Sequence, residues 1–390
     1  MRSKNKGPRV KFVQTKGLRT WIEIDKKSVL NNLKAFRGLV GKNVKVMSVV
    51  KSNAYGHGLW DFSNIIKDNK DLDWFGVDSV VEGLTLRKEG VKKPILVLGY
   101  VLPEMLMVAG ENNLSISVSS FETIAEISKT KFRKKLKIHL KVDTGMHRHG
   151  FSLNQKHEVL SALKNVLLKV EIEGIFTHFS FAKDPNDRAY TNKQISEFKE
   201  WTEFLSKEVN INPIKHASAT GGSLIYDKAH FDMIRVGIGM YGLWPSPESK
   251  KYKSGLIKIK PVLAWRTIVA EIKEVKKGEG IGCDLSEKLN KNTKVAILPI
   301  GYWHGFPRVL SRIGCVYIRG VACKVLGNVC MDIIMVDATN VSGIKVGDEV
   351  EIIDRDDNRK NSLVYMAKLA NMSIYELVTR INPLIKRIVV

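Results

Sequence analysis

The sequence predicts an α/β protein in which an N-terminal (β/α)8 barrel is followed by a C-terminal mostly-β domain. Before residue 245, eight short apolar runs alternate with amphipathic helical patterns, as parallel strands alternate with helices in such barrels. After residue 245, alternating segments follow at short spacing with glycines at the turns, as in a compact β domain. We therefore predict a basic leader at residues 1–17, a barrel at 18–245 and a β domain at 246–390.

The predicted barrel strands are rich in apolar and β-branched residues. They are Val44–Val50, Trp74–Val77, Pro94–Leu98, Leu114–Val118, Leu136–Val142, Val170–Thr177, Asn212–His216 and Asp232–Val236. Between them lie patterns of helical period, such as Val80–Lys88. Active sites of these barrels lie at the carboxyl ends of the strands. Lys51, Arg148, His178 and Arg235 all fall at or just beyond such ends.

The predicted β domain consists of short alternating strands and one closing helix. The strands are Leu263–Ile272, Lys294–Pro299, Val316–Arg319, Ala322–Val329, Ile333–Val336 and Glu349–Ile353. The helix lies near Leu363–Ala370. One further strand, Trp21–Asp25, precedes the barrel and is assigned to the N-terminal domain.

Composition and charge argue against a nucleic-acid-binding, membrane-spanning, secreted or zinc-binding protein. The 390 residues carry a formal net charge of +23, but the basic residues are spread along the chain without a nucleic-acid-reading motif, so we interpret the charge as compositional. No apolar run approaches the length of a membrane span, and the N-terminus shows no signal-peptide pattern. The 4 cysteines lack zinc-site spacing. We expect a cytoplasmic protein with reduced thiols, no metal site and no membrane or nucleic-acid partner.

Lys51 ends a buried strand and is the first candidate for chemistry. Burial disfavours an ammonium ion, and a neutral lysine amine forms a Schiff base with an aldehyde. Most strand-end lysines simply reach solvent, but here Tyr55-Gly56-His57-Gly58 follows, where the glycines allow the backbone to approach a ligand closely. The stretch VVKSNAYGHG resembles the cofactor-lysine signature of the alanine racemases. The resemblance implies that Lys51 carries pyridoxal 5'-phosphate and that Tyr55 contacts its phosphate.

Two further barrel motifs resemble the same family. The stretch KIHLKVDTGMHRHGF contains Arg148, which the resemblance implies bonds the phenolic oxygen of the cofactor and helps to hold the substrate carboxylate. A lysine at the position of Lys141 is carbamylated in some members of the family and steadies that arginine. In GIFTHFS, the resemblance places His178 on the cofactor ring, although a lone strand-end histidine is more often a satisfied core residue.

The last barrel motifs imply the phosphate site and the partner of the pyridine nitrogen. In KHASATGG, Thr220 replaces a phosphate-binding serine and keeps its hydroxyl. In IRVGIGMYGLWPS, the resemblance implies phosphate contacts from the backbone N–H groups of Gly237 and Ile238. It also places Arg235 opposite the pyridine nitrogen. A guanidinium disfavours protonation of the ring and suits a racemase, whereas the related decarboxylases have a glutamate there.

The β domain contributes residues that the family supplies from the partner subunit. The stretch LPIGYWHGFPR implies that Tyr302 and Arg308 line the substrate entrance, and NVCMD implies that the backbone N–H of Met331 meets the substrate carboxylate. The resemblance therefore implies a homodimer with shared active sites.

Cys283 is the main departure from the family pattern. Counted back from Tyr302, it occupies the position of the tyrosine that acts as the second catalytic base. Racemisation needs a proton acceptor and donor on each face of the α-carbon. Three readings stay open: Cys283 is a base whose pKa nearby cations lower, another group such as Tyr302, His304 or water serves, or most activity is lost.

The resemblance covers nearly the whole chain and implies an alanine racemase. We expect pyridoxal-phosphate-dependent interconversion of L-alanine and D-alanine, which supplies D-alanine for peptidoglycan, with Lys51 and Cys283 as the two bases. The alternatives are a serine or broad-specificity racemase and a pyridoxal-phosphate-binding protein with impaired catalysis. Arg235 argues against a decarboxylase.

Overall fold

The computed structural model describes residues 15–390 as two compact units. Most of the predicted leader, residues 1–14, lies outside the described part of the chain. One unit contains Ser28–Ala54 and Ser63–Lys260, and the other contains residues 15–27, Tyr55–Phe62 and Pro261–Val390. This division differs from the predicted boundaries, because residues 18–27 belong to the β unit and residues 246–260 to the barrel unit.

The barrel unit is built on parallel strands. They are β2 (Lys45–Val49), β3 (Trp74–Val77), β4 (Ile95–Val97), β5 (Ser115–Val118), β6 (Leu136–Asp143), β8 (Val170–Phe176), β9 (Ile214–His216) and β10 (Met233–Val236). The first strand of the chain, β1 (Thr20–Ile24), precedes them, and the short strand β7 (Phe151–Ser152) pairs with β6. The order is β10-β2-β3-β4-β5-β6-β8-β9. The backbone N–H of Arg235 donates to the Ser218 carbonyl over 2.9 Å and brings β10 back beside the end of β9. All eight predicted strands are confirmed within two residues.

Helices alternate with these strands. They are α1 (Lys26–Val40), α2 (Leu59–Ile66), α3 (Val80–Lys88), α4 (Leu106–Glu111), α5 (Phe121–Lys129), α6 (Lys156–Lys164), α7 (Ala189–Val209), α8 (Thr220–Ile225) and α9 (Pro247–Lys253). Serine N-caps start three of them: Ser79 accepts from the N–H of Glu82, Ser120 from that of Thr123, and Ser246 from that of Ser249. No helix among residues 15–390 has the length and apolar character needed to cross a membrane.

A left-handed turn follows β2. Ser52, Asn53 and Ala54 have φ of 55°, 55° and 51° with ψ near 50°, and φ is also positive at Tyr55. This conformation costs roughly 1–2 kcal/mol per non-glycine residue. The N–H of Ala54 donates to the Val50 carbonyl over 2.8 Å, which closes the turn directly around Lys51. The lysine therefore sits at the start of a strained segment.

The carboxylate of Glu82 stabilises this turn. Its Oε1 accepts from the N–H of Ser52 and its Oε2 from the N–H of Asp78, both over 2.7 Å. Glu82 lies in the first turn of α3, so the strained segment is bonded to a helix start within the same unit. Sequence reasoning did not identify this residue.

The β unit contains a nine-stranded sheet of order β12-β15-β18-β17-β16-β19-β11-β1-β20. Its later strands are β11 (Leu263–Ile268), β12 (Glu271–Val275), β15 (Thr293–Leu298), β16 (Cys315–Ile318), β17 (Val321–Leu326), β18 (Ile334–Asp337), β19 (Glu349–Ile353) and β20 (Lys386–Val389), with a separate hairpin of β13 (Gly280–Ile281) and β14 (Glu287–Lys288). Two helices, α10 (Leu363–Leu369) and α11 (Ile374–Thr379), complete it.

Two strand assignments from the sequence need correction. The strand predicted at Trp21–Asp25 is β1, but it pairs with β11 and β20 and belongs to the β unit rather than to the barrel domain. The single strand predicted over Leu263–Ile272 is two strands. The first, β11, pairs with β19, and just after it the N–H of Val269 donates to the Asp348 carbonyl. The second, β12, pairs with β15, and just before it the N–H of Ala270 donates to the Ile297 carbonyl.

We expect Ser52→Gly to raise the free energy of unfolding by up to about 1 kcal/mol, because glycine adopts a positive φ without the steric penalty of Cβ and loses only part of this gain in chain entropy. Urea unfolding measures the effect. Ser128→Gly is the matched control: this exposed serine lies in α5, where glycine should destabilise. A lower stability of Ser52→Gly would contradict the strained turn.

Candidate active site

Four cationic side chains gather near the carboxyl ends of the barrel strands. Lys51 follows β2, Lys141 lies in the last part of β6, Arg148 lies in the loop after β6, and Arg235 lies in β10. They act on one another: Arg148, Arg235 and Lys51 each lower the pKa of Lys141 electrostatically. The structure thus brings together the barrel cations that the sequence predicted separately.

Few carboxylates balance this charge. Lys51 Nζ lies 3.0 Å from Asp78 Oδ1, but both side chains are more than a third exposed, so the pair is weak. Asp143 Oδ1 instead accepts from the backbone N–H groups of Gly145 and Met146, at 2.9 and 2.8 Å, and fixes the loop that carries Arg148. The cluster is therefore suited to anionic groups from outside the chain.

Lys141 is buried within this cluster. Its Nζ lies 5.5 Å from the centroid of the Phe176 ring. Burial, followed by the charges of Arg148 and Arg235, lowers the pKa of Lys141 to about 8. Lys141 therefore stays mainly cationic at pH 7, and about a tenth of the amine is in the neutral form that reacts with carbon dioxide.

Arg235 is buried and bonded mainly to neutral groups. Nη1 donates to the His216 carbonyl and to His216 Nδ1, both over 2.9 Å. Nη2 donates to the carbonyls of Thr177 and Ala217 over 2.7 and 2.8 Å and lies 3.3 Å from His178 Nδ1. Only the Nε–H is without a hydrogen-bond partner among residues 15–390. One donor thus stays available to a ligand.

A chain of hydrogen bonds leads from Arg235 through the barrel interior. His216 Nε2 lies 2.8 Å from His139 Nδ1, and His139 Nε2 lies 3.3 Å from Glu173 Oε2. Burial raises the pKa of Glu173, but the hydrogen bonds from His139, Ser115 and Lys137 outweigh it and leave the value at about 2. The chain ends on an ionised carboxylate that no sequence motif indicated.

The groups at the two ends of this series of hydrogen bonds, Arg235 and Glu173, determine which atom donates in each bond. A guanidinium only donates hydrogen bonds, and an ionised carboxylate only accepts them. His216 must accept at Nδ1 and carry its proton on Nε2, and His139 must do the same to donate to Glu173. Burial, followed by the charges of Arg235 and its neighbours, also lowers the pKa of His216 well below its usual range. Both rings are therefore neutral and held in one tautomer.

His178 also stays neutral. Burial and then the charges of Arg235 and Arg148 lower its pKa to about 3. A neutral ring at the end of β8 can pack against an aromatic ligand and accept the hydrogen bond from Arg235. The structure places His178 beside Arg235, and its predicted packing on a cofactor ring stays a prediction.

The predicted phosphate residues meet at α8 and the turn after β10. Thr220 Oγ1 accepts from the N–H groups of Gly237 and Gly239, over 3.2 and 3.3 Å. A Cβ on Gly239 would lie 2.5 Å from the Phe36 ring, so only glycine fits there. Because Thr220 Oγ1 accepts both of these hydrogen bonds, the hydroxyl proton is available to donate to an anion. Ile238 begins the 3-10 turn between the two glycines.

Tyr55 lies in the β unit, where C-terminal residues hold its segment. Its ring centroid is 6.1 Å from that of Tyr375. Arg387 donates through Nη2 and Nε to the Gly56 carbonyl over 2.7 and 3.2 Å, and a Cβ on Gly56 would lie 2.0 Å from the Val378 carbonyl oxygen. Sequence reasoning identified neither Tyr375 nor Arg387 as a neighbour of this segment.

The remaining predicted residues lie on exposed loops of the β unit. Tyr302, Met331 and Cys283 are exposed, and Arg308 begins a short 3-10 turn. The N–H of Tyr302 donates to the Cys330 carbonyl and that of Trp303 to the Met331 carbonyl, both over 3.0 Å, so two predicted motifs are bonded together. Cys283 Sγ lies 3.1 Å from Cys330 Sγ.

A parallel barrel with a strand-end lysine, a cation cluster suited to anionic groups and a separate β unit defines a class of two-unit barrel proteins. Comparison with known proteins identifies the family. The profile of the alanine racemase N-terminal domain matches residues 24–245, and that of the alanine racemase C-terminal domain matches residues 262–389. The chain belongs to the alanine racemase family, whose activity is the pyridoxal-phosphate-dependent interconversion of L-alanine and D-alanine.

Individual relatives cover nearly the whole chain. The alanine racemase of Methanococcus maripaludis is 38% identical over 94% of this chain and 98% of its own, and that of Halothermothrix orenii is 37% identical over 94% and 96%. Among solved structures, the alanine racemase of Clostridium difficile has a TM-score of 0.88 at 31% identity over 96% of both chains. The Bartonella henselae enzyme, with covalently bound pyridoxal phosphate, has a TM-score of 0.84 at 25% identity over 95% of this chain and 99% of its own.

We expect Glu173→Leu to lower the free energy of unfolding by about 1–3 kcal/mol more than Glu173→Gln, because leucine leaves the buried Nε2–H of His139 without an acceptor, whereas glutamine keeps an oxygen there. Urea unfolding of the two variants gives the difference. Ser115→Ala, which removes one bond to Glu173 but keeps the carboxylate, should cost less than Glu173→Leu. Equal losses for leucine and glutamine would contradict the directional chain.

Stability should also fall in mild acid. Burial and the charge of Arg235 hold the folded pKa of three histidines, His139, His178 and His216, below the unfolded value of about 6.5. Below that pH only the unfolded chain gains these protons, so stability is complete above pH 6.5 and is lost as the pH falls. Between pH 7 and 5.5, His178 and His216, whose folded pKa values are lowered most, should together cost about 2.5 kcal/mol, and His139 should add to this loss.

The measurement is urea unfolding at several pH values in this window. Glu173 does not contribute there, since its folded pKa of about 2 and its unfolded value both lie below pH 5. His147→Gln, at an exposed histidine, is the control for the substitution itself. Stability that is constant from pH 5.5 to 7 would rule out three buried neutral histidines.

Proposed function

We propose that this chain binds pyridoxal 5'-phosphate through Lys51 at the carboxyl ends of the barrel strands and interconverts L-alanine and D-alanine in the cytoplasm, supplying D-alanine for peptidoglycan. The observation that carries this proposal is the cluster of Lys51, Lys141, Arg148 and Arg235, which has little matching negative charge among residues 15–390. A phosphate, a phenolate and a substrate carboxylate are the anions that such a cluster accommodates.

The residues present fit this cofactor. The hydroxyl of Thr220, held by the N–H groups of Gly237 and Gly239, suits a phosphate, and Tyr55 is the second candidate contact. The Nε–H of Arg235, which has no partner among residues 15–390, suits the acceptor nitrogen of an unprotonated pyridine ring. When bound, the cofactor supplies an electron-withdrawing ring that makes the α-proton of an amino acid acidic.

Arg235 favours racemisation over decarboxylation. A permanent cation opposite the pyridine nitrogen disfavours protonation of the ring and so limits how much carbanion character it stabilises. The chain through His216, His139 and Glu173 holds the guanidinium in position, because its Nη1 hydrogens are taken by His216. This suits a reaction that removes and returns one proton and avoids side reactions.

Protons are moved by one group on each face of the α-carbon. Lys51 Nζ takes or returns the proton on one face, and Arg148 and the Met331 N–H hold the carboxylate. We assign the other face to the thiol of Cys283. As in the family pattern, Cys283, Tyr302, Arg308 and Met331 of one subunit would complete the site of the other, so the active form is a homodimer.

The test is α-proton exchange of L-alanine and D-alanine in D2O on the cofactor-loaded protein, with chirality followed in parallel. Exchange with inversion from both enantiomers is the expected result. Cys283→Ala should slow exchange of one enantiomer by about 100-fold or more, since a positioned general base contributes 10²–10⁴-fold. Lys51 still serves the other enantiomer, so the loss should be one-sided.

Cys315→Ala is the matched control, because this half-buried thiol lies in β16 and has no proposed role. Undiminished exchange of both enantiomers by Cys283→Ala would reject the thiol as a base and leave Tyr302, His304 or water. No exchange from either enantiomer by the unaltered protein would overturn the alanine reaction. Faster exchange of L-serine than of L-alanine would favour the broader racemase.

A further inference from the structure

The four cysteines of the β unit fall into two groups. Cys323 is buried and Cys315 half-buried, and burial raises the pKa of both thiols, that of Cys323 to about 12. Cys283 and Cys330 instead lie side by side, with their sulfur atoms 3.1 Å apart. A disulfide bond is about 2.05 Å long, so roughly 1 Å of side-chain movement separates this pair from a covalent link.

Two hydrogen bonds from backbone N–H groups to side-chain oxygens hold together the segments that carry the two thiols. Cys283 lies in the loop of the β13–β14 hairpin, and Cys330 follows β17. The N–H of Asn328 donates to Ser286 Oγ over 3.0 Å, and the N–H of Gly327 donates to Glu287 Oε2 over 2.8 Å. The hairpin is thus bonded to the segment just before Cys330.

Glycines allow this close approach. A Cβ on Gly327 would lie only 2.9 Å from the Ile281 carbonyl oxygen, whereas a Cβ on Gly282 would make an ordinary contact, 3.4 Å from the Asn328 nitrogen. Both glycines also have positive φ, of 60° and 81°. The proximity of the sulfurs therefore follows from the packing of two backbone segments and does not depend on side-chain placement alone.

The two thiols differ in their surroundings. Cys283 is exposed. Cys330 is partly buried, and burial together with the hydrogen bond to Cys283 raises its pKa. A thiolate is the attacking species in exchange with disulfides, and access to the reagent sets the rate. Cys283 is accordingly the attacking thiol and Cys330 the resolving one.

We propose that Cys283 and Cys330 form a dithiol site that reacts with low-molecular-weight disulfides and closes to an internal disulfide. The Cys283 thiolate attacks one sulfur of the reagent, forms a mixed disulfide and releases one thiolate. The Cys330 thiolate then attacks the Cys283 sulfur and releases the second. Two protein thiols are oxidised and one reagent disulfide is reduced to two thiols, with the two protons passing to the released thiolates or to water.

The consequence for activity rests on the function proposed above. A Cys283 sulfur held in a disulfide has no proton to give and no thiolate to take one up, so exchange on its face of the substrate should stop. Thiol reductants should restore it. The bond formation itself does not depend on that role, so the two ideas are separable by experiment.

The experiment uses the cofactor-loaded full chain incubated with hydroxyethyl disulfide at neutral pH. Intact mass is expected to show the loss of two hydrogen atoms per chain without a retained adduct, and peptide mapping is expected to join Cys283 to Cys330. In Cys330→Ser the resolving thiol is absent, so one reagent half should stay attached at Cys283. In Cys283→Ser the reaction at Cys330 should slow at least about tenfold, since its thiol is shielded.

Two controls make the outcome decisive. Cys315→Ser should form the same internal link as the unaltered chain. A stable adduct on the unaltered chain without the link, or a link that includes Cys315 or Cys323, would overturn the proposal. Formation of the link with undiminished exchange of both enantiomers would support the dithiol site and reject Cys283 as a base. Reversible loss of exchange with link formation would support both.

Discussion

The barrel site depends on burying one guanidinium without a carboxylate in direct contact. Removing a charge from water is costly unless hydrogen bonds replace the lost hydration. Arg235 meets this requirement with backbone carbonyls of Thr177, His216 and Ala217 and with neutral imidazoles. The negative charge of Glu173 lies further away, at the end of the imidazole chain. Because every group in the chain has a fixed role as donor or acceptor, the arginine keeps one orientation.

In this arrangement the surrounding histidines stay neutral and fix the orientation of Arg235 through their hydrogen bonds. His139 and His216 are both fully buried, and the Phe176 ring stacks on His216 at 4.8 Å between centroids and 8° between planes. A protonated imidazole there would place a second cation beside Arg235. The site instead keeps its cations on Lys51, Lys141, Arg148 and Arg235, at the end where strand carboxyl termini meet.

Local patterns predicted the barrel well and the long-range pairings poorly. All eight barrel strands were predicted because each is a compact apolar run between helical patterns. The partners of β1 could not be predicted, because the alternation of apolar and polar residues in a strand does not indicate which strand pairs with it. The break between β11 and β12 has no glycine or proline to mark it; Val269 and Ala270 read as strand residues. Glu173 and His139 lie within strands and are brought together only by the pairing of β6 with β8.

The left-handed turn after Lys51 has a consequence for the order of assembly. An isolated peptide of this sequence would avoid the conformation, because the one local hydrogen bond, from Ala54 to Val50, does not repay several adjacent residues with positive φ. The turn becomes favourable only when Glu82, thirty residues later in the chain, is present to receive its N–H. Lys51 therefore gains its geometry only after α3 has formed beside the end of β2, and a chain folded less far than this would present an ordinary surface lysine.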